Sequence, residues 1–586
     1  MPANSVIDSK FKGSIFSAKE KDAWPISKHE LFGGKYFAGY YASEHVAATE
    51  FVFGIILVTM GVSARDIFWG LLIGNFLAVL SWALVTAPIA VETRLTLYWY
   101  IRKIAGRGTT LLYNAMNVIV FTIISGAMIT ASISALRVLF NIPVQLKWYP
   151  ESAAFVILGL ILGIAVVAIT IFGFKAVAMF STLCGPWLFF MFTAGALVAL
   201  PYLANHVSGV THISSFSQLF NICNTAVWDG VNSNGHAGIG LLGVIGLAWA
   251  GNSFTHFGLI DMAVFRYAKK SSYGMYTACG MYFGHFLAWM AAGIMGTSAA
   301  LLLSRPLSQM DPGDVAFSLL GYSGIIILII GGWTTANANL YRAGLAAEAI
   351  FHKFSRQKVT LVVGIFTAII SCFPFVFTKA FQLVTYSGII LVPIGGIVFA
   401  EHWLFPRIGL TRYWSYYKNE HTNWPAVGTW LAALVFSFAV NYYGIISYQF
   451  IFIFEWGLSI LLYILLSLPS GSKEKYSEEQ ARDEQVMEAI KTTQEADYQQ
   501  TLSEDKECSA ARKKAKSKLT SIVHKLAWLC LIIIGANAMY VFFFSSDIDN
   551  YMHNFSTFKI ISLIATILYF TLGTATQLLQ RKDVNS

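Results

Sequence analysis

Charge is what this sequence has least of. Lys, Arg, Asp and Glu make up 12% of its 586 residues, while 56% are hydrophobic. A soluble chain carries about a quarter charged residues. With a mean hydropathy of +0.60, that scarcity excludes a soluble globular protein and leaves an all-α polytopic membrane protein. Cysteine is sparse as well: Cys184, Cys223, Cys279, Cys372, Cys508 and Cys530 are scattered without short paired spacing. That excludes a disulfide framework and a structural zinc site. The first thirty residues lack the apolar core of a cleavable signal, so the N-terminus is expected to stay in the cytoplasm. A Gly-x-Gly-x-x-Gly motif at Gly238, Gly240 and Gly243 lies in an apolar run, not after a strand, and so fails as a dinucleotide fingerprint. No clustered His and acid spacing points to a catalytic metal. The chain is read as no enzyme, and neither a prosthetic group nor any other cofactor is indicated.

What is present in abundance is apolar sequence. About 20 apolar residues span a bilayer core, and that ruler gives about fourteen spans: 39–61, 66–91, 109–139, 152–172, 176–203, 236–264, 274–303, 316–346, 358–378, 381–404, 426–445, 447–468, 522–545 and 556–579. Lys and Arg collect at Arg94 to Arg107, Arg266 to Lys270, Lys353 to Lys358, and Arg407 to Arg412, whereas Asn205 to His236 holds neither. Cytoplasmic loops carry the basic excess, so both termini are expected in the cytoplasm of a plasma or inner membrane. The net charge of +9 belongs to those loops and indicates no nucleic-acid partner. Residues 471–520 are polar, acidic first and basic from Arg512 to Lys518. Such a run is a solvated helix or flexible linker, and its basic end is an anchor beside the next span.

The polar residues left at membrane depth are candidates for function. In GGWTTANANLYRAGL, Gly331 to Leu345, helical periodicity places Thr334, Asn337 and Tyr341 on one face and Thr335, Asn339 and Arg342 on the adjacent one. A stripe of that kind faces a bundle interior or cavity, either as a site or as interhelical glue. In the first span Glu44 and His45 lie in the cytoplasmic half, where they are either interfacial or functional. Glu50 lies near the middle, where cation coupling or substrate contact is expected of it. In the sixth span Gly251, Asn252, Ser253, Thr255, His256 and Gly258 cluster halfway and predict a break whose freed backbone lines a cavity. Phe254 in that break offers a stacking surface for a planar ligand.

Four stretches resemble the nucleobase:cation symporter family of cytosine permeases, hydantoin transporters and related permeases, with the cytosine permease branch nearest. They are GVSARDIFWGLLIGN at 61–75, the sixth-span segment ending in FRYAKK at 265–270, WTTANANLYRAGLA at 333–346 and GIILVPIGGIVFAEHWL at 388–404. The resemblance covers roughly residues 30 to 468. It implies a five-plus-five inverted-repeat transporter fold, shared with sodium-coupled amino-acid transporters, in which spans one and six are broken and spans three and eight brace them. It further implies a cation site between spans one and eight. Matched by position, that site is formed by the carbonyls of Glu44, Ala47 and Gly331 and the hydroxyls of Thr334 and Thr335, an oxygen set suited to a hard cation. The substrate site would use Phe254, flanked by Asn252, Ser253 and His256.

The departures from the family pattern concern substrate recognition. The third-span Trp that stacks on ligand is missing, and Phe121 is the ring nearby. The amide after the paired threonines is replaced by Ala336, with Asn337 and Asn339 beyond it. The first-span aromatic is Ala48, and Glu50 is added. The Asp-x-x-Arg pattern fails, because Arg266 follows Asp261 by five.

The organisation expected from all this is a cytoplasmic segment at 1–38, spans one to five at 39–203, six to ten at 236–404, and eleven and twelve at 426–468. A charged cytoplasmic linker at 469–520 and an extra hairpin at 521–586 follow. The function expected is import of a small-molecule nucleobase or related planar heterocycle with sodium as coupling ion. Proton coupling, with a substrate such as allantoin, hydantoin or a vitamin, is the alternative. A ligand sensor or passive channel is a further one.

Overall fold

The computed structural model describes residue 16 and residues 23–145, 147–253, 256–508 and 518–585. Among these, eleven helices are long and apolar enough to cross a membrane, and one bent pair passes the same test. The helices are α1 (Gly34–His45), α2 (Glu50–Thr59), α3 (Ala64–Thr93), α4 (Leu97–Leu139), α5 (Ala153–Thr170) and α6 (Phe174–Ser208). They continue with α7 (Phe216–Ala226), α8 (Leu241–Ser253), α9 (Met262–Phe265), α10 (Ser271–Leu302), α11 (Pro312–Leu320) and α12 (Tyr322–Ile350). The rest are α13 (Arg356–Ser371), α14 (Gln382–Arg407), α15 (Trp424–Tyr442), α16 (Tyr448–Ser467), α17 (Ser477–Cys508), α18 (Lys518–Phe543) and α19 (Ile548–Asn585).

Four of the expected spans are not continuous helices: 316–346 crosses from α11 to α12 at Gly321, 358–378 runs past the end of α13 at Ser371, and the first and sixth are broken near their middles. α1 and α2 meet at a bend of 52° across residues 46–49. α8 stops at Ser253, a short turn occupies His256–Gly258, and α9 follows. Small and polar residues fill helices poorly, and here they fall where the backbone unwinds. The third expected span, 109–139, proves to be the end of a longer element. α4 starts at Leu97 and carries non-helical backbone at Gly106, whose φ of 75° only glycine adopts without strain. The segment before Gly106 is a lead-in helix that the apolar ruler could not detect.

α4 and α12 pass each other closely. Ser132 donates to the Leu328 carbonyl at 3.1 Å, and a Cβ added at Gly332 would lie 2.5 Å from the Met128 carbonyl oxygen. Small residues of this kind let membrane helices approach until backbone and side chain bond. On the other side of the molecule α3 packs against α8, where Asn252 donates to Asn75 at 2.7 Å. The bent α1–α2 pair lies between these two groups of helices, touching α12 on one side and α10 on the other.

The face carrying residues 23–32 is tightly closed. Ile26 N–H donates to the Arg94 carbonyl and Phe32 N–H to that of Tyr267, both at 3.0 Å, and Arg94 in turn donates to the carbonyls of Arg266 and Ala268. The polar stretch expected to be solvated or flexible forms α17, which lies across this face. Val486 and Ile490, one turn apart, are buried, and Lys103 pairs with Asp483 at 2.6 Å. Gln494 donates to the Pro25 carbonyl at 2.7 Å, and His29 stacks on Tyr498 with centroids 3.6 Å apart. Of the basic anchor from Arg512 to Lys518, only Lys518 is among the described residues. The final hairpin, α18 and α19, rests on α6 through Tyr551 to the Val198 carbonyl at 2.9 Å and Tyr569 to that of Leu183 at 2.7 Å.

Candidate functional site

The break between α1 and α2 leaves the last carbonyls of α1 without the amides of a following turn. α12 supplies replacements. Thr334 Oγ1 donates to the Ser43 carbonyl and Thr335 Oγ1 to that of Glu44, both at 2.8 Å. The same hydroxyls lie 3.1 and 3.0 Å from the Gly331 carbonyl. Gly331 allows the approach: a Cβ there would sit 2.9 Å from Ala48 N and 3.0 Å from Ala47 C. Glu44, Gly331, Thr334 and Thr335 are thus gathered at one point, with carbonyl and hydroxyl oxygens facing each other across two helices; the Ala47 backbone lies beside Gly331, and its carbonyl accepts from the Glu50 amide at 3.3 Å. An all-oxygen set of this type fits a hard cation. Here the threonine hydrogens fix the carbonyls in place.

Next to it lies a group that the sequence pattern did not join. Arg342 on α12 is fully buried and pairs with Glu44 Oε1 on α1 through Nη1. Its Nη2 pairs at 2.8 Å with Asp261 Oδ1, just before α9. The other Asp261 oxygen bonds His256 Nδ1, and Tyr41 OH stands 3.5 Å from Oδ1. One guanidinium therefore ties together both broken helices and the helix that braces them. Glu44 serves twice, with its carbonyl toward Thr335 and its carboxylate toward Arg342. The only sequence clue was that Thr335, Asn339 and Arg342 share a helical face. Sequence spacing pairs Asp261 with the nearby Arg266, but that guanidinium bonds the hydroxyl of Tyr267 at 3.0 Å.

A ring sequence leads from this cluster to Glu50. His256 stacks on Trp82 at 4.0 Å between centroids, His45 meets Trp82 at 5.6 Å and His285 at 5.0 Å, and His285 stacks on Trp289 at 4.6 Å. Trp289 Nε1 donates to Glu50 Oε2, Thr49 donates to Oε1 at 3.3 Å, and His285 Nε2 is 3.8 Å from Oε2. The buried acid is thereby held at the start of α2 by Thr49, just before the helix, and by neighbours on α10.

The remaining candidates divide between the break and the braces. Asn252 is committed to Asn75 and to the Ala248 carbonyl, while the buried Ser253 hydroxyl has no hydrogen-bond partner among the described residues. Phe254, with Thr255, lies outside the described residues. Phe121 and Ala48 are buried, and Ser125, one turn beyond Phe121, donates to the Ala336 carbonyl at 2.9 Å. Asn339 donates to the Thr335 carbonyl on its own helix at 2.9 Å. Asn337 points to α5, where Thr170 donates to its Oδ1 at 2.9 Å.

No family model matches this chain, and no curated protein matches it by sequence. Similarity lies in the fold. A structure of Mhp1, a nucleobase-cation-symport-1 family transporter, closed with bromovinylhydantoin bound, aligns with a TM-score of 0.58 at 15% identity, covering 80% of this chain and all of that one. Mhp1 in an inward-facing conformation aligns at 0.56 and 14% identity, covering 79% and 97%. A substrate-bound, outward-open Na+-coupled sialic acid symporter aligns at 0.54 and 13% identity, covering 80% and 99%. The fold is therefore the five-plus-five inverted-repeat transporter fold, with its characteristic breaks at α1–α2 and α8–α9.

Proposed function

We propose that this protein is a secondary active transporter of the nucleobase:cation symporter family. It imports a nucleobase or related small planar heterocycle by alternating access, with sodium as the coupling ion. The observation that carries the reading is the oxygen cluster of Glu44, Gly331, Thr334 and Thr335 between α1 and α12, in a fold shared with cation symporters. Sodium bound there would supply charge to the unwound carbonyls. The chain's own part is to hold those carbonyls through the two threonine hydroxyls and to present the α8–α9 break opposite. In that break His256 and Ser253, with Phe254, offer a hydrogen-bonding edge and a stacking ring for a heterocycle. The Lys and Arg excess of the loops supports a cytoplasmic orientation of both termini.

Binding is tested on purified protein by thermal shift with nucleobases, hydantoins, allantoin and vitamin heterocycles, in sodium and in choline, at two pH values. Stabilisation by one ligand that requires sodium, and is lost when Thr334 and Thr335 are both replaced by Ala, is the expected result. Stabilisation that ignores sodium and follows pH would move coupling to protons and to Glu50 or Glu44. Ligand binding without accumulation in vesicles would identify a sensor, and non-saturable flux without ion dependence a channel.

A further inference from the structure

On the face that carries residues 23–32, a cavity of about 420 Å³ opens between the segment before α1, the α5–α6 turn, Tyr267, Tyr341 of α12 and the start of α13. Its polar wall is built around Arg356 and the beginning of α6. Gly173 is the N-cap of α6, with a φ of 81°, and provides no side-chain cap. Arg356 lies directly on it: a Cβ at Gly173 would be 2.9 Å from Nη2 and 3.1 Å from Cζ. The guanidinium therefore adjoins the positive end of a 35-residue helix, a like-signed pairing that an anion bound beside both would offset. Arg356 Nη1 is buried without a hydrogen-bond partner among the described residues. Lys175, exposed in the first turn of α6, lines the same cavity. The one acid on the lining, Glu30, accepts from the Ser27 amide at 3.2 Å as part of a local cap. Phe172, on the lining, is 65% exposed, and Phe354, just before Arg356, is 60% exposed, so an apolar rim borders the basic wall.

We propose that this cavity binds a phosphate-bearing anion, gripped by Arg356, Lys175 and the first amides of α6. The apolar rim points to an anionic phospholipid headgroup as its source, because a basic pocket between transmembrane helices with apolar surface beside it accommodates headgroup and acyl chain together. The test measures melting temperature of the full-length protein in phosphatidylcholine nanodiscs, in nanodiscs containing phosphatidylglycerol, and in phosphatidylcholine nanodiscs with inorganic phosphate. A rise of several degrees with phosphatidylglycerol alone, abolished in Arg356→Gln and reduced in Lys175→Gln, supports the lipid site. An equal rise with inorganic phosphate, abolished by the same substitutions, supports the phosphate site and overturns the lipid source. No rise with either anion, or a rise that survives both substitutions, overturns the proposal. Should Arg356→Gln fail to fold, the exposed Lys175 carries the same test.

Discussion

Arg342 is the residue whose loss should cost most. Its guanidinium is wholly buried and holds two carboxylates, Glu44 and Asp261, on separate broken helices. Replacing it by Gln leaves both acids buried. Asp261 keeps His256, but Glu44, whose Oε2 already lacks a hydrogen-bond partner among the described residues, keeps no charge partner in the cluster. Removing one member of a buried ion pair costs about 3 to 5 kcal/mol, roughly two to three and a half powers of ten in the folded-to-unfolded ratio. Glu44→Gln alone retains an acceptor for Arg342 and loses only the charge assistance of that hydrogen bond, about 1 to 1.5 kcal/mol, the excess of a charged over a neutral bond. The sign of the second substitution should then reverse with background. Glu44→Gln destabilises the natural protein but stabilises Arg342→Gln, since it removes the stranded charge. Melting curves of the four proteins in one detergent measure this cycle. If Glu44→Gln lowers the melting temperature by the same amount in both backgrounds, the two side chains do not form this pair.

Three other substitutions probe the remaining assignments. Gly331→Ala puts a methyl against backbone atoms of Ala47 and Ala48 that cannot yield; overpacking of about 1 to 3 kcal/mol should appear as lost sodium stabilisation in a thermal-shift titration, and an unchanged sodium response would separate Gly331 from the cation site. Asn337→Ala removes one acceptor of the Thr170 hydroxyl, which keeps the Val166 carbonyl at 2.9 Å on its own helix, and should lower stability by about 0.5 to 1.5 kcal/mol while ligand affinity holds; calorimetric titration showing weakened binding at unchanged stability would place Asn337 in the pocket instead. Lys103→Met strands Asp483 against the face that carries residues 23–32 and should release α17, read as faster limited proteolysis within residues 477–508; cleavage at the natural rate would mean that α17 is held without this pair.

What could be read from the sequence was whatever lies within one element. The polar stripe on α12 followed from helical spacing, and the break after Ser253 followed from residues that fill helices poorly. The ends of α1 and α2 were harder, because VAAT at 46–49 contains no Gly or Pro to announce a bend; only the family resemblance placed a break there. The burial of α17 was hidden for a related reason. Val486 and Ile490 are two apolar positions in a long polar run, too few to make a periodic face, yet they suffice when an adjacent surface with Lys103 is there to receive them.

The same limit explains Arg342, and it bears on how the proposed coupling would work. A spacing rule looks for the partner of Asp261 a few residues away, but the partner comes from α12, brought there by the bracing helix itself. Glu44 is where the two sites meet. Its carbonyl direction is set by Thr335, so a cation seated among those oxygens acts on the same residue whose carboxylate grips Arg342, and through Arg342 on Asp261 and His256. A change at the oxygen cluster therefore has a path of three side chains to the α8–α9 break. No motion of α1 against α12 can leave that path untouched, because both contacts belong to one residue of α1 and neighbouring turns of α12.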